Sequence, residues 1–327
     1  MTRTLLAGTL LTTALALPAL AAPAVVATIQ PVHSLTAAVM DGIGEPTLLL
    51  PPGASPHAYS LKPSEAAALE DADLVVWIGD ALETFLARTL DNVAGDAARL
   101  GLLDAPGMTL LDGREGGAWD AHDHDHDHEE HGHEEHAHDD HGHDAHDHDA
   151  HDHGDVDAHV WLAPANGIAM TRAIAAELAR LDPAHAERYR ANAERRVAAL
   201  EELAAAIEAD LAPVREAPFI VFHDAYQYFE AAFDLNGVGA VTLSPERQPG
   251  PADIAALRDK IERAEAVCVF AEPQFPPRLV ETLVEGTPAR MGVLDPVGAG
   301  LAPGPDAYPT LLRDLADDLR ACLAGTS

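Results

Sequence analysis

"AERYRANAERRVAALEELAAAIEADL" runs from Ala186 to Leu211 with no glycine or proline inside it. Alanine, leucine, glutamate and arginine dominate it, the residues that lose least on entering a helix. Pro183 suits the first turn of such a helix and Pro213 marks its stop, so one helix is predicted over about 183–211. A helix of that length would span roughly 40 Å. It reads as a rigid strut between whatever lies on its two sides.

Both sides alternate short apolar runs with helical patterns. Before the strut, "AVVATI" (24–29), "TLLLP" (47–51), "LVVWIG" (74–79) and "MTLLD" (108–112) read as buried strands. Helices are expected over 31–40, 63–71, 81–92 and 165–181. After it, "FIVF" (219–222), "VGAVTL" (238–243), "AVCVFA" (266–271) and "ARMGVL" (289–294) are the strands, with helices over 225–233, 251–264, 276–285 and 308–323. Strand–helix alternation in each half predicts an α/β protein of two lobes, each a mostly parallel sheet flanked by helices. A length of 327 residues, 47% of them apolar, leaves room for two cores. Ligands of such sheets bind beyond the carboxyl ends of strands, so residues just after strands are the ones to inspect.

The N-terminus, "MTRTLLAGTLLTTALALPALAA", has a positive residue at Arg3, an apolar stretch over 5–17 and a small-x-small site at Ala19-Leu20-Ala21. Residues 1–21 therefore read as a signal peptide, with a soluble mature chain beginning near Ala22. No cysteine follows to take a lipid. Two cysteines remain, Cys268 and Cys322. In an oxidising compartment an isolated pair favours a disulfide over a zinc–thiolate site, with two buried free thiols as the alternative.

The formal charge is −34. Sixteen acidic residues crowd 120–157, and no Lys or Arg lies between Arg114 and Arg172. Phosphates would be repelled, which argues against a nucleic-acid partner; a cation is the natural one. The same segment holds fourteen of nineteen histidines: His122, His124, His126, His128, His131, His133, His136, His138, His141, His143, His146, His148, His151 and His153. With almost no apolar residues it cannot offset the entropy of ordering, so a disordered loop is expected over about 118–156. Its donors are interchangeable, which predicts several weak metal sites and an accessory role in collecting ions.

Three of the other histidines follow strands or open apolar runs: His57 in "LLLPPGASPHAYSLKPSE", His159 in "DAHVWLAP" and His223 in "FIVFHDAYQYF". Asp295, in "RMGVLDPVGAG", occupies the same kind of position. Three imidazoles and one carboxylate suit Zn²⁺, which favours four nitrogen, sulfur or oxygen donors in a tetrahedron.

The phrases "PVHSLTAAVMDGIG", "PPGASPHAYSLKPSE", "HVWLAP", "VFHDAYQYFEAAF", "CVFAEPQF" and "LDPVGAG" occur in the order found in the metal-specific solute-binding proteins, and the chain resembles the zinc-binding periplasmic components of bacterial zinc-uptake ABC transporters. The resemblance runs from about Val25 to Leu323. It implies two lobes joined by one rigid helix, with the metal in the cleft between them. It makes His57, His159 and His223 the imidazole ligands, and puts Asp295 where the family places a carboxylate; Asp295 or a water would complete the shell. Manganese-type relatives carry Glu where this chain has His223. Some zinc-type relatives have an acidic residue before the first ligand, where this chain has Pro56. His33 and Glu272 also lie in matching phrases: His33 reads as a hydrogen-bonding residue or one behind the ligands, and Glu272 either orients a ligand imidazole or pairs at the lobe interface. Cys268 and Cys322 match a disulfide of the C-terminal lobe.

The organisation expected is thus a signal peptide (1–21), an N-terminal lobe (22–182) carrying the His-rich loop, a linking helix (183–213) and a C-terminal lobe (214–327). The resemblance implies a monomeric, non-enzymatic receptor of the periplasm, which carries Zn²⁺ as transported ligand. Its partners would be an inner-membrane ABC permease with a cytoplasmic ATPase; a periplasmic metallochaperone is a further candidate. The rival readings are a manganese or iron receptor of the same fold, and a zinc buffer or chaperone without a transporter. A zinc hydrolase would need a general base beside a ligand, and the sequence has no H-E-x-x-H helix.

Overall fold

The structure, a computed structural model, describes residues 22–93, 95, 97–114, 156–242 and 250–325. The signal peptide and the histidine tract expected from the sequence lie outside the described residues, apart from Val156 at the tract's end. The first half builds β1 (Val25–Ala27), α1 (Gln30–Val39), β2 (Thr47–Leu48), α2 (Pro63–Glu70), β3 (Leu74–Trp77), α3 (Thr84–Val93) and β4 (Ala98–Gly101). A single 3-10 turn (Val160–Leu162) leads into α4 (Pro164–Leu181) and α5 (Ala186–Leu211). Then come β5 (Phe219–His223), α6 (Gln227–Phe233), β6 (Gly237–Thr242), α7 (Pro251–Arg263), β7 (Cys268–Ala271), α8 (Arg278–Val284), β8 (Arg290–Val293) and α9 (Ala307–Leu323).

Each half forms one four-stranded sheet, ordered β2-β1-β3-β4 and β6-β5-β7-β8, and every pairing is parallel. The same topology therefore occurs twice. Helices cover such sheets on both faces, which is why β1, β5 and β7 are apolar and buried along their whole length apart from the polar end of β5. Proline in the first turn opens α1, α2 and α4, where its missing N–H costs nothing.

Three features depart from the sequence reading. The run Met108–Asp112 is not a strand of the sheet. Two of its backbone N–H groups go to side chains, Thr109 N–H donating to Asn166 Oδ1 at 2.8 Å and Leu111 N–H to the Tyr228 hydroxyl at 2.9 Å, and its end pairs with Val156 and Asp157. The fourth strand is β4, "ARLG", an edge strand whose Arg99 reaches Asp91 at 2.7 Å and whose apolar pattern is too weak to announce it. Lastly, α5 is 26 residues long and begins at Ala186, because Asp182 captures the His185 ring at 2.6 Å and the Tyr189 hydroxyl at 3.0 Å in the turn after α4.

The helix α9 brings the end of the chain back across the molecule. Its Leu311, Leu312, Leu315, Leu319 and Leu323 are buried, each contributing about 1.5–3 kcal/mol by leaving water. They belong to one continuous apolar cluster that includes residues of both sheets and of α1, α4 and α5. Polar bonds fix the same contact: the buried Tyr308 hydroxyl donates to Trp161 O at 2.6 Å, Tyr308 N–H to Ser34 Oγ at 2.8 Å, and Gln30 Nε2 to Leu301 O at 2.9 Å. Gly167 in α4 is required by this packing, since a Cβ there would lie 2.2 Å from the Tyr308 oxygen.

Cys268 and Cys322 form a disulfide between the start of β7 and the end of α9, closing a sequence separation of 54 residues. On the chain-entropy argument a loop of that size stabilises the fold by about 4 kcal/mol. Replacing both cysteines with serine is expected to lower unfolding free energy by up to about that amount. Urea denaturation with and without reductant checks this: the native protein should shift on reduction and the double variant should not.

Candidate metal centre

In both sheets the chain turns one way from the first strand and then crosses to its other side, which leaves a crevice at the carboxyl ends of the two central strands. In the first sheet that crevice is filled from within. Glu83 accepts from Ile78 N–H and Gly79 N–H, both at 3.0 Å, and from the Thr28 hydroxyl. Burial pushes the Glu83 carboxyl up to about 7, and these three bonds oppose the shift. In the second sheet the crevice carries His223, the last residue of β5, and Glu272, the residue after β7.

Glu272 Oε1 accepts from His223 Nδ1 at 2.6 Å and faces the His223 backbone N–H at 3.3 Å. A carboxylate can only accept, so Nδ1 carries the hydrogen, and in the neutral, ligating form of the ring the lone pair of Nε2 points outward. His159, just before the 3-10 turn, is held in the same way. Asp157 Oδ1 accepts from its Nδ1 at 2.7 Å and its backbone N–H at 3.0 Å. His57 stands on the loop after β2, where Gly53 takes a φ of +83° that favours glycine. Its ring is partly exposed, and among the described residues no carboxylate pairs with it.

The three rings converge from distant parts of the chain. His159 Nε2 lies 3.1 Å from His57 Nε2 and 3.3 Å from His223 Nε2. One ligand atom from each of the three lies within 4.8 Å of those of the other two. Donors bound to a tetrahedral ion at the Zn–N distance would be separated by about 3.3 Å. With the hydrogen on Nδ1 of neutral His159 and His223 rings, the facing Nε2 lone pairs could not bond one another, and a cation between them would turn the repulsion into coordination. Burial, with the neighbouring His159 and His223, pushes His57 down to about 2, so its ring stays in the neutral ligating form. Ala54, Pro56, Trp161, Phe275, Pro296 and Val297 form the apolar part of the pocket lining, beside the polar Ser55, Glu272 and Gln274. Trp161 is itself anchored by donating to Pro296 O at 2.7 Å.

Other residues singled out from the sequence lie differently. Asp295 is not part of the three-imidazole cluster. Its Oδ1 accepts from Gln274 Nε2 at 2.8 Å, Val297 N–H at 3.2 Å and Gly298 N–H at 2.9 Å, so it organises the turn carrying Pro296 and Val297. His33 is buried in α1, where Nε2 bonds Pro46 O at 3.1 Å, and burial lowers its pKa. The fourteen tract histidines are outside the described residues. Asp157 escaped the sequence reading because fifteen other acidic residues precede it in the same segment. Its spacing two before His159 was the available signal.

The family described as zinc-uptake complex component A, periplasmic (ZnuA), matches residues 25–322. The chain belongs to the ZnuA family. It is 49% identical over 305 residues to a Brucella suis protein named high-affinity zinc uptake system protein ZnuA, covering 92% of this chain and 91% of that one. A Yersinia pestis protein of the same name is 38% identical over 309 residues, with 91% of each covered. Among solved structures, a ZnuA 138–173 deletion mutant with zinc bound aligns with TM-score 0.70 and 23% identity over 92% of this chain and 98% of that one. The laminin-binding protein Lmb of Streptococcus agalactiae aligns with TM-score 0.72 and 24% identity over 92% and 99%. At such identities the structural likeness establishes the shared fold. The ZnuA match includes all three clustered imidazoles and both carboxylates that orient them.

Carboxylate partners of ligand imidazoles typically change metal affinity 10–100-fold, roughly. Asp157→Ala and Glu272→Ala are each expected to weaken Zn²⁺ binding by about that factor in chelator-competition titrations, while leaving the stoichiometry of tight binding unchanged.

Proposed function

We propose that the chain is a periplasmic receptor that captures Zn²⁺ with His57, His159 and His223 and delivers it to an ABC permease driven by a cytoplasmic ATPase. The observation that carries this reading is the convergence of three Nε2 atoms, two of them locked in the ligating tautomer by buried carboxylates. Membership of the ZnuA family supports the transport role. The reading takes the mature chain to be a soluble monomer released by cleavage near Ala21; no helix among the described residues is long and apolar enough to cross a membrane.

An all-nitrogen set favours zinc over manganese, which prefers carboxylate, carbonyl and water oxygen. Water is the preferred fourth donor, because Asp295 is engaged in its turn. Asp157 and Glu272, the carboxylates nearest the rings, are bonded to imidazoles and do not stand as general bases, which argues for binding over hydrolysis. The histidine tract serves this centre as an accessory store of weakly held ions.

Deletion of residues 122–153 is expected to leave one tight zinc equivalent and remove weak ones in calorimetric titration; His57→Ala, His159→Ala or His223→Ala in the full chain should abolish the tight one. Loss of the tight site on tract deletion would overturn the assignment. A strain lacking the protein, and lacking redundant uptake, should grow poorly only when zinc is limiting. Asp295→Asn should alter zinc affinity by less than about threefold, since a lost ligand would cost at least the 10–100-fold seen for outer residues.

A further inference from the structure

The two carboxylates that orient the ligands do not account for the other buried charges beside the centre. Asp224, adjacent to His223, and Glu230 on α6 have side chains only 7% and 4% exposed. Arg114 reaches both, its Nη1 3.2 Å from Asp224 Oδ1 and its Nη2 donating to Glu230 Oε2 at 2.6 Å. Arg114 belongs to the chain before the histidine tract, whereas both acceptors belong to the second half.

The contact is part of a web. Asp112 pairs with Val156 in an antiparallel bridge, and Asp157 N–H donates to Leu111 O at 2.9 Å. The Tyr228 hydroxyl accepts from Leu111 N–H at 2.9 Å and donates to Asp157 O at 2.8 Å. The Gln227 amide, turned with its nitrogen inward, donates to Asp157 Oδ2 at 3.1 Å and Asp112 O at 3.2 Å. The segments 111–114 and 156–159 are thereby fastened to α6 and to the turn after His223.

We propose that Arg114 is a positioning residue for the metal centre: by drawing Asp224 and Glu230 onto the chain that leads to His159, it sets the separation of His159 from His223 and so governs how fast zinc is released. The physical reason is that the two rings sit on different halves of the chain, so their 3.3 Å separation is only as firm as the contacts between those halves. Ligand geometry tolerates displacements of only about 0.5 Å. Without the guanidinium, the two buried carboxylates would lose their counter-charge and would take up a proton or draw water into the seam. A planar fork reaches the two acceptors with two separate nitrogens, whereas an ammonium offers a single nitrogen as a point charge. The inference rests on the three-imidazole reading above.

The test uses the full mature chain carrying one equivalent of Zn²⁺ or Co²⁺, with zinc loss to excess chelator followed in time and Co²⁺ visible bands reporting ligand geometry. Arg114→Gln is expected to speed zinc loss on the order of tenfold, in the range seen when residues behind metal ligands are removed, and to shift the Co²⁺ bands. Arg114→Lys should fall between it and the native protein in both readouts. Zinc loss within about twofold of native with unchanged Co²⁺ bands in Arg114→Gln would overturn the proposal, whatever its thermal stability. If that variant does not fold, Arg114→Lys decides, and native behaviour in it overturns the proposal. A native chain with no chelator-resistant equivalent would instead refute the three-imidazole reading.

Discussion

Imidazole lone pairs aimed at one another within about a hydrogen-bond length repel unless a proton or a metal ion lies between them. The rest of this structure serves to maintain that unfavourable arrangement in readiness. Asp157 and Glu272 decide which ring nitrogen carries hydrogen, so the lone pairs of His159 and His223 face inward. The surrounding Trp161, Phe275 and Pro296 keep the dielectric low, so the charge of the ion is felt strongly. A dication held by three imidazole nitrogens would have carboxylates behind two of the rings, so the site would need no free negative charge of its own.

Holding lone pairs together requires that the elements presenting them cannot drift apart. Two sets of contacts do this on different sides of the pocket. One is the seam formed by α9 with α1 and α4, where Tyr308, Ser34 and Gln30 bond across the halves. The other is the web around Tyr228 and Arg114. The two sheets have the same strand order, yet they are used differently. Glu83 closes the first crevice, while the second is left to present a ligand. Duplication of topology thus supplied two candidate sites, and side-chain choice left one.

Much of the fold was legible because its elements obey local rules. Alanine-rich segments with proline at their starts, such as α2 and α4, declare themselves, and so do continuous apolar strands such as β3 and β7. The misreadings occurred where tertiary contacts replaced local pattern. Met108–Asp112 looks like a strand but is held by Asn166 and Tyr228, and β4 pairs in the sheet despite a polar, glycine-ended sequence. The positions of His57, His159 and His223 could be picked out from their neighbours along the chain. Asp157 was hidden among fifteen other acidic residues of the same segment, and only its spacing two before His159 set it apart.

Residue type and order by themselves determined which donors are available: imidazole nitrogens of the kind that suits zinc, and a strand–helix alternation that places residues such as His223 at strand ends. They also determined that Cys268 and Cys322 were available to pair. Only the tertiary structure decided that the three rings meet at their Nε2 atoms, and that the Asp295 carboxylate accepts from Gln274, Val297 and Gly298 around its own turn. The reason is physical. Propensity and periodicity act over a few residues, whereas coordination depends on the sub-ångström placement of atoms 102 and 64 residues apart in sequence, and that placement is settled by packing across the whole molecule.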